Sequence, residues 1–395
     1  MQYYQYFQHR RDITTLLVGP NGAGKSRFLV SMGKAAIAEG LPVYAISNTV
    51  FDRLRGIRGA KRISATQGER LPEKLIKQAL RNVHGIRDGF GVFREIGRVL
   101  DYCGYERTVG MRIRSRLKAW PVDLHERLAE MKLPPEVTKR LVEVTEMFFH
   151  RALPDIEWLH FEGLSYEISR SYDLTEIVFW ERELKQLGII RAIDLFLRKD
   201  QMVMPIANAS SGQLSMISTL VFLSSEIDEG RGWVLIDEPE NSLHPQWQKE
   251  YVTRLSKVIH YRSIKVMIAT HAPVLVSGAT LGPVDVDIIH LQDGEPTGLV
   301  FDRVAKKTES VEQVLWDVFD TITPANHFVS SKLVEEIERV EEGKTSAESV
   351  GELIGRMQSG SYDDKQRAFF NDVSELARRV EERRGQFGLT EGDDE

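Results

Sequence analysis

Eight residues near the start of the chain, Gly19-Pro20-Asn21-Gly22-Ala23-Gly24-Lys25-Ser26, have the types and spacing to hold a phosphate. They fit G-x-x-x-x-G-K-[ST], directly behind the apolar run Leu16-Leu17-Val18 and ahead of a helix-compatible run from Arg27 to Ala38. A glycine-rich loop can turn successive backbone N–H groups inward at an anion, while the following helix presents its positive end. In that setting Lys25 would reach the β- and γ-phosphates of a nucleotide and Ser26 would ligate Mg²⁺.

Three further stretches can act on the same substrate. Trp233-Val234-Leu235-Ile236-Asp237-Glu238 is an apolar strand that ends in two acids. Asp237 is placed to hold a metal through water, and Glu238 to polarise a water for attack on the γ-phosphate. The competing reading is an ordinary strand-end turn before Pro239. Ile268-Ala269-Thr270-His271 ends a second apolar strand, one helix (Pro245 to His260) downstream. His271 there fits a γ-phosphate sensor at the carboxyl edge of a parallel sheet. Ala209-Ser210-Ser211-Gly212-Gln213 is a small-residue loop opening a helix with Leu214, Ile217, Leu220 and Val221 on its stripe, a second anion site at a helix N-terminus.

In this order the four stretches resemble the ABC-type ATPases, with 209–213 similar to their LSGGQ signature through Ala209 for Leu and Ser211 for Gly. The string Glu238-Pro239-Glu240-Asn241-Ser242-Leu243-His244-Pro245 resembles the chromosome-maintenance (SMC) and overcoming-lysogenization (OLD) branch, found in bacterial anti-phage defence and DNA repair, rather than transporter subunits. The resemblance covers the ATPase core and implies an α/β fold binding ATP and Mg²⁺. The nucleotide-binding set would be Gly19 to Ser26 with Ser210, Gly212 and Gln213; the metal ligands Ser26 and Asp237; the catalytic residues Glu238 and His271. It also implies two chains paired head-to-tail, each closing its signature loop over the other's ATP. His244 fits either a role at that seam or packing at a helix start. Gln67 and Asn48 both remain candidates for the glutamine-type contact to Mg²⁺ and attacking water.

The chain has 395 residues, 42% hydrophobic and 28% charged, the balance of a globular protein. It has no apolar run of membrane-spanning length and its start, MQYYQYFQHRRD, lacks a signal-peptide core. Cys103 is the only cysteine, which excludes an intramolecular disulfide and fits the cytoplasm. The net charge of −6 is uneven: residues 51–118 hold 17 Lys plus Arg against 7 Asp plus Glu, whereas 332–395 hold 10 against 17.

The expected organisation is a discontinuous ATPase core (1–50 and 156–304), a basic, mainly helical insertion (51–155) and a helical C-terminal region (305–395). Residues 1–50 read as a strand pair, the phosphate loop, its helix and a further strand at Pro42 to Ser47. Helices open at Pro72-Glu73 and Pro134-Pro135-Glu136; Leu164, Tyr166 and Ile168 alternate as a strand. A hairpin, Ile189 to Arg198 and Met202 to Ile206, turns at Lys199-Asp200-Gln201. Val286 to Leu291 is a strand ending in a turn at Asp293-Gly294, Val334, Ile337 and Val340 mark one helix face, and 391–395 fray.

Arg53, Arg55, Arg58, Lys61 and Arg62, then Arg107, Arg112, Arg114, Arg116 and Lys118 near Tyr102, Tyr105 and Trp120, suit nucleic acid. They equally suit a solvated face or an acidic protein partner. Three functions compete: a switch ATPase that controls a separately encoded effector such as a nuclease in anti-phage defence; a RecF-like or SMC-like DNA-repair ATPase; and a transporter subunit, which the EPExxLHP string and the long insertion count against.

Overall fold

The computed structural model describes residues 4, 5, 7, 14–83, 89–117, 120–150, 155–162, 165–227, 230–259, 263–296, 311–319, 327–359 and 364–388. Its strands are β1 (Thr14–Val18), β2 (Val43–Ser47), β3 (Lys61–Ser64), β4 (Thr108–Ser115), β5 (Glu157–His160), β6 (Ile190–Lys199), β7 (Met202–Pro205), β8 (Arg231–Asp237), β9 (Ser263–Ala269), β10 (Val286–Gln292) and β11 (Glu295–Pro296). The helices begin with α1 (Lys25–Ala38), α2 (Leu71–Asn82), α3 (Gly89–Tyr102), α4 (Leu124–Glu130), α5 (Pro135–His150), α6 (Ser165–Phe179) and α7 (Glu181–Gln186). They continue with α8 (Ser211–Glu226), α9 (Pro245–Ile259), α10 (Pro273–Leu281), α11 (Val311–Phe319), α12 (His327–Glu341), α13 (Ala347–Ser359) and α14 (Asp364–Gly388).

The strands form a seven-stranded sheet in the order β11-β10-β1-β9-β8-β2-β3 and a four-stranded sheet in the order β5-β4-β6-β7. Every residue of β1 and β2 is buried, as expected of parallel strands covered on both faces. β2 runs parallel to β8 and to β3, and β1 parallel to β10. The four-stranded sheet is antiparallel throughout.

The chain divides into two compact units, with β9 contributing to both. The first contains β2, β3, β8, the four-stranded sheet and the helices from α2 to α8; α2 and α3 pack on α8, whose Leu214, Ile217, Leu220 and Val221 are buried. The second contains β1, the 19–26 loop, β10, β11 and the helices from α10 onward. In it α12, α13 and α14 close a separate core around Leu333, Val340, Val350, Met357 and Phe370.

Much of the local reading holds. The β6–β7 hairpin turns at Asp200 and Gln201, both left-handed at φ 48° and 66°. Leu75, Ile76, Ala79, Leu80 and Val83 are all buried along α2. The expected strand pair at the start of the chain falls largely outside the described residues; Tyr4, Gln5 and Phe7 are helical, and Tyr4 stacks on Trp233 with ring centroids 5.5 Å apart. Three expectations need correction. The expected strand around Tyr166 and Ile168 is helix α6, because buried Ser171, Leu174, Thr175 and Val178 impose a 3.6-residue period over the brief alternation. Residues 61–64 of the 51–155 stretch are β3 of the seven-stranded sheet. On α12 the buried stripe is Val329, Leu333 and Val340, and Val334 is 56% exposed. Lys118, Leu164 and 391–395 lie outside the described residues.

Candidate functional site

Two clusters of the residues singled out by sequence form, one inside each unit. In the second unit, Lys25 is 6% exposed and its Nζ donates to the carbonyls of Gly19 (2.7 Å) and Pro20 (3.1 Å). The loop thus curls around its own ammonium, with Pro20, Asn21 and Gly22 exposed at its rim. Gly24 has φ +91°, and a Cβ there would lie 2.6 Å from Gly294 Cα. Only glycine meets both conditions. The Asp293-Gly294 turn between β10 and β11 braces the loop from outside: Gly294 N–H donates to Ala23 O at 2.8 Å. A Cβ on Gly22 would meet nothing within 4 Å, so the rim faces open space.

Thr270 ends the β9 segment beside this loop. Its N–H donates to Leu17 O at 3.0 Å, and its fully buried hydroxyl accepts from Ala272 N at 3.1 Å. These two bonds fix the bend that leaves His271 exposed.

In the first unit, β2 and β8 end in register, Ser47 opposite Asp237. Asp237 is 1% exposed, and its carbonyl accepts from Asn48 N–H at 3.0 Å. Glu238 follows in the left-handed region, φ +50°, a conformation that costs a non-glycine residue about 1 kcal/mol or more and recurs at functional sites. Asn241 secures it: Nδ2 donates to Glu238 Oε2 (3.0 Å) and to Asn48 O (3.2 Å), and its backbone N–H donates to Glu238 O (3.2 Å). Asn48 Nδ2 in turn donates to Ser215 Oγ on α8 (3.2 Å) and to Pro239 O (3.3 Å). Of the two glutamine-type candidates, Asn48 touches the Glu238 turn. Gln67 is exposed in the short turn Ala65–Gln67 after β3.

The 209–213 loop is built as a helix cap. Ser210 Oγ accepts from Gln213 N, and Gln213 Oε1 accepts from Ser210 N, a capping box that satisfies the first turn of α8. Gly212 is demanded by packing, since its Cβ would lie 2.6 Å from Ser242 O. His244 is exposed at the start of α9. Sequence reasoning passed over Asn241, Thr270 and Gly294. Asp293-Gly294 was legible as a turn, but nothing in the string says that it touches residues 23 and 24.

Five of the nine described basic residues of this set pair with carboxylates, Lys61 with Glu226 and Arg62 with Asp52 among them. Arg112 binds Asp155, Arg114 binds Asp194 through both Nε (2.5 Å) and Nη2 (2.6 Å), and Arg107 binds Asp101 and Glu162. Tyr105 is 4% exposed, so its ring is not offered to a base.

A largely parallel α/β sheet with a glycine-rich loop after its first strand is similar in arrangement to the P-loop ATPase domains. Residues 125–277, less than half of the chain, match the family described as "AAA domain, putative AbiEii toxin, Type IV TA system". That match spans Ser210 to Gln213, Asp237, Glu238 and His271, and not the 19–26 loop. Among curated proteins, the chain is similar to the retron Ec83 probable ATPase of Escherichia coli, 26% identical over 91 residues, which are 20% of this chain and 16% of that protein. It is also similar to the retron Vc95 probable ATPase of Vibrio cholerae serotype O1 biovar El Tor, 29% identical over 110 residues, 25% of this chain and 21% of that protein. The matched segments therefore amount to a fifth or so of those relatives' lengths. A solved Smc head domain with an extended coiled coil, bound to the C-terminal domain of ScpA, from Pyrococcus furiosus, aligns with TM-score 0.22 and 11% identity over 71% of this chain and 60% of that one. No helix among the described residues is long and apolar enough to cross a membrane.

Proposed function

We propose that the chain binds and hydrolyses ATP with Mg²⁺, pairs head-to-tail with a second copy around the nucleotide, and thereby controls a separately encoded effector, such as a nuclease, in bacterial anti-phage defence. The observation that carries this reading is Glu238: a carboxylate directly after buried Asp237, in a left-handed turn, held by the Asn241 amide. The relatives named as retron ATPases and the matched family's description as a toxin of a toxin–antitoxin system support the defence setting.

In this reading the Gly19 to Ser26 loop and Lys25 hold the β- and γ-phosphates, and Ser26 and Asp237 hold the metal. Glu238 orients the attacking water and takes its proton. His271 senses the γ-phosphate, and Asn48 links the Glu238 turn to α8 through Ser215. Bound Mg²⁺ supplies neutralisation of the phosphate charge. Ser210, Gly212 and Gln213 meet the partner copy's nucleotide; Ser210 keeps its O–H as a donor, because its capping bond uses only the oxygen as acceptor.

The test is ATP turnover by the purified full chain together with its size in solution. Wild type should hydrolyse ATP, and Glu238→Gln should bind ATP, stall and accumulate as dimer. Stalled turnover without a nucleotide-dependent dimer would refute the pairing, and wild-type turnover by Glu238→Gln would refute the site.

A second reading, a DNA-repair ATPase that binds DNA, is favoured by one observation. Arg53, Arg55 and Arg58 are exposed and make no ion pair among the described residues. DNA-stimulated turnover, lost when these three become Glu, would favour it.

A further inference from the structure

A cleft of about 810 Å³ opens in the first unit between α2, α7 and the β4–β6–β7 face. Its walls carry seven basic side chains against three acidic ones. Arg70, Lys74, Lys77 and Arg81 come from α2 and the residue before it, Arg112 and Arg114 from β4, and Lys185 from α7. None of them belongs to the residues proposed for ATP.

With Asp155, which pairs with Arg112 from outside the cleft, these acids hold five of the seven cations without neutralising the set. Glu181, buried, receives Lys185 (2.7 Å), Arg81 (2.9 Å) and Lys77 (3.2 Å) on a single carboxylate. Glu73 shares Lys77 at 2.9 Å, and Asp194 grips Arg114 through two nitrogens. A guanidinium has five N–H donors, so the fork on Asp194 leaves three to spare. Arg112 lies over the Phe196 ring, 4.7 Å from its centroid, a fixed guanidinium plane of the kind on which bases stack. At the mouth Arg70 and Lys74 are exposed and make no ion pair among the described residues.

Fixed cations in excess at a concave site call for a ligand with several negative charges close together. Such preorganisation lowers the ordering cost of binding. The volume falls within the roughly 300–1,000 Å³ of small-ligand sites, which suits a few phosphates and not a duplex lying along a flat face. We propose that this cleft is a second anion site, which takes a short run of nucleotide phosphates, from a free nucleotide or from the end of a single strand.

The test uses the full chain at about 50 mM salt, titrated calorimetrically with a 5′-phosphorylated thymidine tetranucleotide, with ATP and with a 20-base-pair duplex. The decisive variant is Arg70→Glu with Lys74→Glu, which breaks no ion pair and leaves the proposed ATP residues intact. A second variant, Lys185→Glu, reverses a lining charge on α7 that pairs with buried Glu181; circular dichroism confirms that each is folded. The expected result is that the tetranucleotide, or a second equivalent of ATP, binds to wild type. Its affinity should fall about tenfold or more in the double variant, with a shallower salt dependence, while ATP turnover persists. Loss for the tetranucleotide alone assigns a strand end; loss of the second ATP equivalent assigns a free nucleotide. Affinities unchanged in both folded variants, duplex binding that ignores the variants, or no binding beyond one ATP equivalent would overturn the proposal.

Discussion

Glu238 and Lys25 sit in the same proposed reaction with opposite failure modes, and substitution separates them. Glu238→Gln keeps size and hydrogen bonding but removes the base, so turnover should fall by about 10²–10⁴ with nucleotide affinity retained. Lys25→Ala should weaken nucleotide binding itself, read by fluorescent-nucleotide titration; tight binding by that variant would refute the phosphate role. Asn241 should behave as a positioning residue. Asn241→Ala frees the Glu238 carboxylate, so kcat should drop about tenfold or more with KM little changed, and Asn241→Gln should not rescue it, since the donor would lie one methylene too far. An equal loss in KM would mean that Asn241 merely supports the fold. The proposed Lys25, Ser26, Asp237 and Glu238 were readable because their chemistry follows from neighbours in the string. Asn241 was not: its amide reaches Glu238 only because residues 238 and 242 both take positive φ, and no residue type there announces it.

Elements were legible where one face is buried over several turns, as along α2, and at turns with forced geometry, as between β6 and β7; α8 is buried on all sides from Met216 to Ser224, beyond the stripe that the sequence offered. They were misread where a short string fits two periods, as at Tyr166 and Ile168, or where the partner lies far away in sequence, as for β3 against β2. Two predictions belong at this scale. Gly212→Ala forces a Cβ against Ser242 O, so the start of α8 or the 240–243 turn must shift. Denaturant unfolding should show a loss of about 1–3 kcal/mol, with turnover falling further than stability explains. The second concerns Glu181. Burial pushes its carboxyl up, but the hydrogen bond and charge of Lys185 and the charge of Lys77 outweigh that and hold it below its ordinary 4.5. A carboxyl lowered in the folded state contributes stability above the unfolded value, lost as pH falls through the folded one. Unfolding free energy should therefore decline below about pH 4.5, and Glu181→Gln should flatten that decline. It should also cost about 1–3 kcal/mol at neutral pH, because Lys77, Arg81 and Lys185, whose side chains keep 12%, 39% and 41% exposure, lose their shared buried acceptor. An unchanged acid limb would show that the hub is not coupled to folding.

For the whole molecule, the proposed pairing makes a prediction that no single-chain defect imitates. Ser210→Arg should abolish turnover yet leave ATP binding intact, and mixing it with Lys25→Ala should restore part of the activity, because each variant brings the half that the other lacks. Failure to restore, with mixed dimers demonstrated by mass, would remove the composite site. The order of synthesis adds a different constraint. β1 and the phosphate loop are made first, but β1 pairs with β10, Leu17 waits for Thr270, and Ala23 waits for Gly294. At roughly 5–20 residues per second, some tens of seconds of translation separate the motif from its supports. A nascent chain stalled before β9 thus displays the complete nucleotide-binding string on the ribosome while having no site to offer. Nucleotide capture should appear abruptly as the arrested length passes the β10–β11 turn, rather than rising with each added element.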